Sequence, residues 1–186
     1  MFVKYLKLIT SIFIHKRLTI KMKTVFSLLL IFFSVYHTSS SNCQVPESNT
    51  FDLEIVSNSL TELIDSSSNY LGLATGTINC GWTSISNANW IWNKQYASNY
   101  ETVYFRVRFW VYGVPNSGTM TVAVDDSVTI TVNGITVGCS GTTYGTLGSC
   151  NINSALKSGF NEAIFKGYNK EGGGCLVFKI ILQAYL

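Results

Sequence analysis

"TVYFRVRFWVY", residues 102–112, alternates without a break. Val103, Phe105, Val107, Phe109 and Val111 fall on one face, and Tyr104, Arg106, Arg108 and Trp110 on the other. A period of two is that of an extended strand, whose successive side chains point to opposite sides. On a helix the same residues would scatter around the axis. One face is apolar and the other carries charge, so this strand is half-buried and its apolar side needs a cover.

The cover must be more of the same, because helical periodicity is almost absent elsewhere. "FDLEIVS" (51–57), "TMTVAV" (119–124) and "SVTITV" (127–132) repeat the alternation, the last two with Met120, Val122, Val124 and Val128, Ile130, Val132 inward. "CLVFKIILQAY" (175–185) is apolar on both sides in its second half and is expected at the centre of a sheet. Clusters of Gly, Asn, Asp and Ser separate these runs. One-sided strands with no long helix to cover them require a second sheet, so the expected fold is all-β, an antiparallel β-sandwich. "NSALKSG" (153–159) reads as a single helical turn capped by Asn153 or Ser154. "GVPNSG" (113–118) reads as a loop.

Residues 1–43 are read separately. "MKTVFSLLLIFFSVYHTSSSNCQ" has a lysine near its start, an apolar core over 25–36 and a small polar tail, the pattern of a secretory signal peptide already complete from Met22, with 1–21 either an extended n-region or an over-long start. Its apolar core falls short of the roughly 20 residues of a spanning helix. The chain from 44 to 186 is expected to form one secreted β-sandwich domain, with 44–81 as its N-terminal part. Of the 13 Lys and Arg, six (Lys4, Lys7, Lys16, Arg17, Lys21, Lys23) lie in the leader, whereas all 10 Asp and Glu follow it. The remaining chain therefore has seven bases, ten acids and a net charge of −3. No basic face remains to attract nucleic acid. His15 and His37 also lie in the leader, which leaves no imidazole for a Ser-His or Cys-His nucleophile or a His-ligated zinc.

Cys80, Cys139, Cys150 and Cys175 are an even set, as a disulfide framework in a secreted chain would be. Cys139 and Cys150 bracket a Gly/Ser/Thr-rich loop and are preferred as one pair, with Cys80 and Cys175 as the other. Four cysteines permit three connectivities. Cys43 is either removed with the leader or left free to bridge chains in self-association. No Cys-x-x-Cys spacing and no Asn-x-Ser/Thr sequon occurs.

"ANWIWN" (88–93), "YFRVRF" (104–109), "VDDSVTITVNGITVG" and "LKSGFNEAIFKGYN" (156–169) follow one another in an order that resembles the galactose-binding-like jelly-roll domain. They are similar to the non-catalytic sandwich modules of bacterial rhamnosidases and related glycosidases. The resemblance covers 82–185 and implies a jelly-roll sandwich. Its functional implication is broader, since that fold hosts carbohydrate binding, adhesion and structural roles. The cysteine-bounded stretch 139–150 has no counterpart in it, and no catalytic domain accompanies it.

Asp125-Asp126 and Asn133-Gly134 bracket "SVTITV". Asn-Gly between alternating runs marks a type I′ hairpin pairing 128–132 with 135–138. Asp125-Asp126-Ser127 reads as a tight turn. Seven residues at about 3.3 Å place the two turns roughly 20 Å apart, so they cannot share one ligand. Strand alternation brings 93–101, 139–150 and 169–174 to the acid end. The candidate ligand contacts are therefore Asp125, Asp126, Tyr96, Tyr100, Tyr144 and Asn169, with calcium the cofactor that the paired carboxylates would take. The structural alternative is an aspartate capping nearby backbone N–H groups. Trp90 and Trp92, two apart, would share a face, either as a sugar platform or, better, as core. Adjacent acids do not straddle a glycosidic bond, which argues against an enzyme. The expected function is non-catalytic binding of extracellular glycan or surface adhesion. The alternative is a structural subunit of an extracellular coat or filament, joined through sandwich edges.

Overall fold

The computed structural model describes residues 49–77, 80, 83–139 and 142–186. The signal-peptide reading of 1–43 and the fate of Cys43 lie outside them. The described chain begins with β1 (Thr50–Val56), β2 (Glu62–Ile64), β3 (Tyr70–Leu73), β4 (Thr75–Gly76) and β5 (Ile91–Trp92). The long β6 (Glu101–Val111) and β7 (Val114–Asp125) follow, then β8 (Ser127–Val132), β9 (Ile135–Val137) and β10 (Gly148–Asn151). A 3-10 turn (Asn153–Ala155) leads to β11 (Gly159–Asn169) and β12 (Cys175–Tyr185).

These strands form two antiparallel sheets. The first has the order β10-β7-β12-β5-β4, with β1 also on β12; the second has the order β3-β2-β6-β11-β8-β9. From β6 onward nearly every connection changes sheet, as in a jelly roll. The all-β antiparallel sandwich is thus observed. Residues 50–76 contribute to both sheets.

Alternation explains the core. Phe105 and Val111 of β6 are fully buried, while Arg108 and Trp110 between them are exposed. Trp92, Phe165, Phe178 and Ile180 meet them from the other strands, with the Phe165 and Phe178 rings stacked at 4.2 Å. Each such side chain contributes about 1.5–3 kcal/mol by leaving water. β12 lies between β7 and β1/β5, the central place its two-sided apolar run requires. A smaller cluster on the outer face of the first sheet packs Ile85 and Trp90 over Ala123 and Val177.

Several sequence readings need correction. Residues 114–118 are not a loop but the first part of β7, which pairs with β12. Pro115 is tolerated there because the register shifts at Gln183/Ala184 and β10 covers only Thr119–Val122 on the other side. The turn itself is Tyr112-Gly113. Gly113 has φ +82°, and a Cβ there would lie 1.8 Å from the Tyr185 carbonyl oxygen. Asp125-Asp126-Ser127 does not turn within a sheet: it carries the chain from β7 in one sheet to β8 in the other. The stretch 139–150 includes edge strand β10. The 3-10 turn has no side-chain cap from Asn153 or Ser154; instead Asn151 Oδ1 accepts from the Asn153 N–H. Trp90 and Trp92 do not share a face, because β5 is only two residues long and Trp90 precedes it.

Both preferred disulfides are present, with Cα separations of 6.3 Å for Cys80–Cys175 and 4.6 Å for Cys139–Cys150, within the range a disulfide spans. Among the described residues no helix is long and apolar enough to cross a membrane.

Candidate ligand site at the loop end

The registers fix which loops meet. Glu101 of β6 faces Asn169 of β11, Ser127 of β8 faces Tyr168, and Asp125 of β7 faces Cys175 of β12. The loop 93–100, the Asp125-Asp126 crossing and the loop 170–174 therefore share one end. Asn133 lies at the other end, beside Glu162.

Glu101 organises the first loop. Its carboxylate accepts from Trp92 Nε1 (3.0 Å), Asn93 Nδ2 (2.8 Å), Lys94 Nζ (3.0 Å) and the Ser98 N–H (3.0 Å). Burial alone would raise its pKa, but these four donors outweigh it and hold the group down at about 2. Sequence reasoning passed over Glu101, although a signal was present. Ser98-x-x-Glu101 has capping-box spacing, and the carboxylate-to-Ser98 N–H bond of that motif forms here with no helix following.

The loop 170–174 is tied to the first loop and to the acid pair. The Tyr100 N–H donates to Lys170 O (3.0 Å), the Gly172 N–H to Asn99 Oδ1 (3.2 Å) and the Lys170 N–H to Asp126 Oδ2 (2.5 Å). Asp126 thus caps a backbone donor, as the structural alternative expected, and its side chain remains exposed. Asp125 is buried. Burial pushes its carboxyl up, and the Asp126 carboxylate beside it adds to the rise, to about 6. Calcium takes six to eight oxygens. Among the described residues no third acid, His or Cys joins the pair as a potential ligand.

The other candidates separate. Asn169 is fully buried, and its Nδ2 donates to the carbonyls of Ser98 (2.9 Å) and Gly172 (3.4 Å). It holds the two loops together and offers no accessible group to a ligand. Tyr100 is exposed and its hydroxyl donates to Glu171 Oε1 (3.2 Å). Tyr144 is exposed on the turn bridged by Thr143 and Thr146, which leads into β10. Tyr96 leaves β5, three strand positions from β10, so sheet spacing puts about 14 Å between their loops. One sugar ring cannot touch both Tyr96 and Tyr144.

Tyr96 lines a cavity of about 210 Å³ with Thr77, Gln95, Ala97 and Gly172–Gly174. Gly174 is required there: a Cβ would come within 2.7 Å of Trp92 Cε2, 2.8 Å of Ala97 Cβ and 2.9 Å of Asn169 Cβ. Thr77 Oγ1 is buried with no hydrogen-bond partner among the described residues, as are Asn93 Oδ1 and Asn169 Oδ1 nearby. Thr77 was not singled out from the sequence, because only folding brings the end of β4 against the 170–174 loop; Gln95 and the glycine run lay within loops placed at this end but were not named as contacts.

No family model matches the chain, and no curated protein matches it. Among solved structures it is similar to the α-L-rhamnosidase of Dictyoglumus thermophilum, with 13% identity and a TM-score of 0.43, over 64% of this chain and 17% of that one. It is also similar to a family 35 carbohydrate-binding module from Clostridium thermocellum, with 14% identity and a TM-score of 0.37, over 72% and 97% of the two chains. A further similarity is to a CBM35 module from Cellvibrio japonicus, with 15% identity and a TM-score of 0.37, over 70% and 92%. The sandwich assignment itself rests on the strand registers.

Proposed function

We propose that this protein is a secreted, non-catalytic carbohydrate-binding module whose ligand enters the Tyr96 cavity. The cavity is the observation that carries the reading: an exposed aromatic ring beside a buried Thr77 hydroxyl, without a partner among the described residues, and a run of glycine backbone. A sugar needs this combination, since its ring face packs on an aromatic while its hydroxyls take hydrogen bonds. At about 210 Å³ the space is below that of sites enclosing drug-sized ligands, which suits one ring of a longer glycan. Glu101 and Asp126 serve as loop fasteners in this reading, so neither acts as a catalytic acid.

Asp125 and Asp126 are the residues that would hold a calcium ion. It would relieve the repulsion between the two carboxyls and brace the 170–174 loop.

A glycan array followed by calorimetric titration tests the proposal. Binding is expected, with a loss of at least about tenfold in Tyr96→Ala, roughly the 1.4 kcal/mol or more that stacking on an aromatic ring supplies. Binding unchanged by Tyr96→Ala would place the ligand elsewhere, and no binding across the array would remove the carbohydrate reading. Repeating the titration in EDTA decides calcium: affinity insensitive to the chelator eliminates the ion.

A further inference from the structure

The two sheets are unevenly finished along one side. β2 pairs β6 only from Tyr104 to Arg106, so the rest of β6, Val107–Val111, pairs β11 on one side and no described strand on the other. Other edges are blunted. β4, β9 and β10 are two to four residues long, and β3 carries a register shift. The open half of β6 has no proline, lysine or bulge, and its one charge, Arg108, is already paired with Glu62. A groove of about 350 Å³ runs beside it, with Ile55, Leu60 and Val107 in its wall. Leu60, Trp110 and Tyr112 are 74%, 55% and 59% exposed around it.

We infer that this edge is a homodimer interface, in which β6 pairs antiparallel with β6 of a second copy across a two-fold axis at Phe109. The register follows from the side-chain pattern. Opposed residues in an antiparallel pair lie on the same face, so a two-fold must relate positions of like parity. An axis at Phe109 opposes Val107 to Val111 of the second copy and Arg108 to its Trp110, and uses the whole open stretch. An axis at Arg108 would set two guanidinium groups against each other. An axis at Trp110 leaves only three residues to pair before the Gly113 turn. The Phe109 register alone places a cation opposite an exposed indole, twice by symmetry, and buries Leu60 beside the joined strands. The charge and ring pattern of β6 is self-complementary in that register.

The interface lies along the part of β6 that runs toward the Asn133 end, so both Tyr96 cavities of the dimer stay open and a branched or repeated ligand meets two sites. The inference rests on the strand edge and stands or falls independently of what the cavity binds.

Light scattering on the size-fractionated full chain in a Cys43→Ser background, at high micromolar concentration, tests it. A dimer is expected, with Trp110→Glu weakening it about tenfold or more while circular dichroism is unchanged. Mixing Arg108→Cys with Trp110→Cys protein under mild oxidation is expected to give covalent dimers that neither variant forms alone, since the opposed Cα atoms lie within disulfide reach. The mixed pair retains one Arg108–Trp110 contact, so cross-linking does not require the interface to survive without its anchors. A monomer at every concentration overturns the inference. So does a dimer that is indifferent to Trp110→Glu and yields no mixed cross-link.

Discussion

The two ends of the sandwich are built from the same residue types and finished differently. At the Asn133 end, Asn161 is fully buried and saturated. Its Nδ2 donates to Lys157 O (2.7 Å) and Gly159 O (2.9 Å), and its Oδ1 accepts from the Lys157 N–H (3.0 Å) and Asn133 Nδ2 (2.8 Å). At the loop end, Asn169 is equally buried, yet its Oδ1 has no partner among the described residues, and neither do Asn93 Oδ1 and Thr77 Oγ1. Buried polar groups are nearly always satisfied, because leaving one unmade costs about 1–3 kcal/mol. The Asn133–Asn161 network is closed for stability, although Asn153 Oδ1 beside it also has no partner among the described residues. At the loop end, Thr77 of these three lines the cavity, while Asn169 stays out of a ligand's reach.

Substitutions can break this contrast, in order of expected effect. Asn161→Ala removes four hydrogen bonds at the closed end and should cost about 3 kcal/mol in urea unfolding, with glycan affinity per folded molecule unchanged. Equal losses of stability and affinity would mean the ends are coupled.

Glu101→Gln is next, with about 2–3 kcal/mol lost at neutral pH. The folded pKa of Glu101 is about 2 against an ordinary 4.5, so its contribution is complete above about 4.5 and disappears as the pH falls toward 2. Melting curves of the variant and the parent should therefore converge in acid. A gap constant across that window would show that the four donors act by packing alone.

Asp125 has the opposite sign. Its folded pKa of about 6 lies above the ordinary 3.8, so the folded chain binds the proton more tightly and loses stability as the pH rises between those values. Asp125→Asn should raise stability by about 2 kcal/mol above pH 6 and change little below 3.8. Destabilisation at neutral pH would assign the ionised carboxylate a partner, calcium being the first to test. The smallest effect is that of Tyr96→Ala on stability, within about 0.5 kcal/mol because the ring is exposed, which separates the binding role proposed for it from the fold.

Much of the fold was legible. The unbroken alternation of β6 and the two-sided apolar run of β12 gave their bounds to within a residue, and both disulfides were the preferred ones. Asn133-Gly134 was legible as a turn, with φ of 51° and 80°, but its side chain does more than turn the chain. Asn133 Nδ2 also donates to Ala155 O (2.8 Å), and its Oδ1 accepts from the Glu162 N–H (3.1 Å). Short β2–β5 were not legible because two to four residues cannot show a period. Their strand state comes from the longer neighbours they pair with.

The site divides along the same line. Local pattern determined the sheet faces, the turns and the gathering of the 93–101 and 169–174 loops with Asp125-Asp126, because side-chain alternation and strand direction are properties of the chain itself. Tertiary structure alone decided that Asn169 is a buried fastener, that Tyr96 and Tyr144 stand apart, and that Thr77 meets three glycines across a cavity. Those outcomes depend on which strands lie next to each other and which sheet each enters. Long-range burial sets that order, and no short window of sequence carries it.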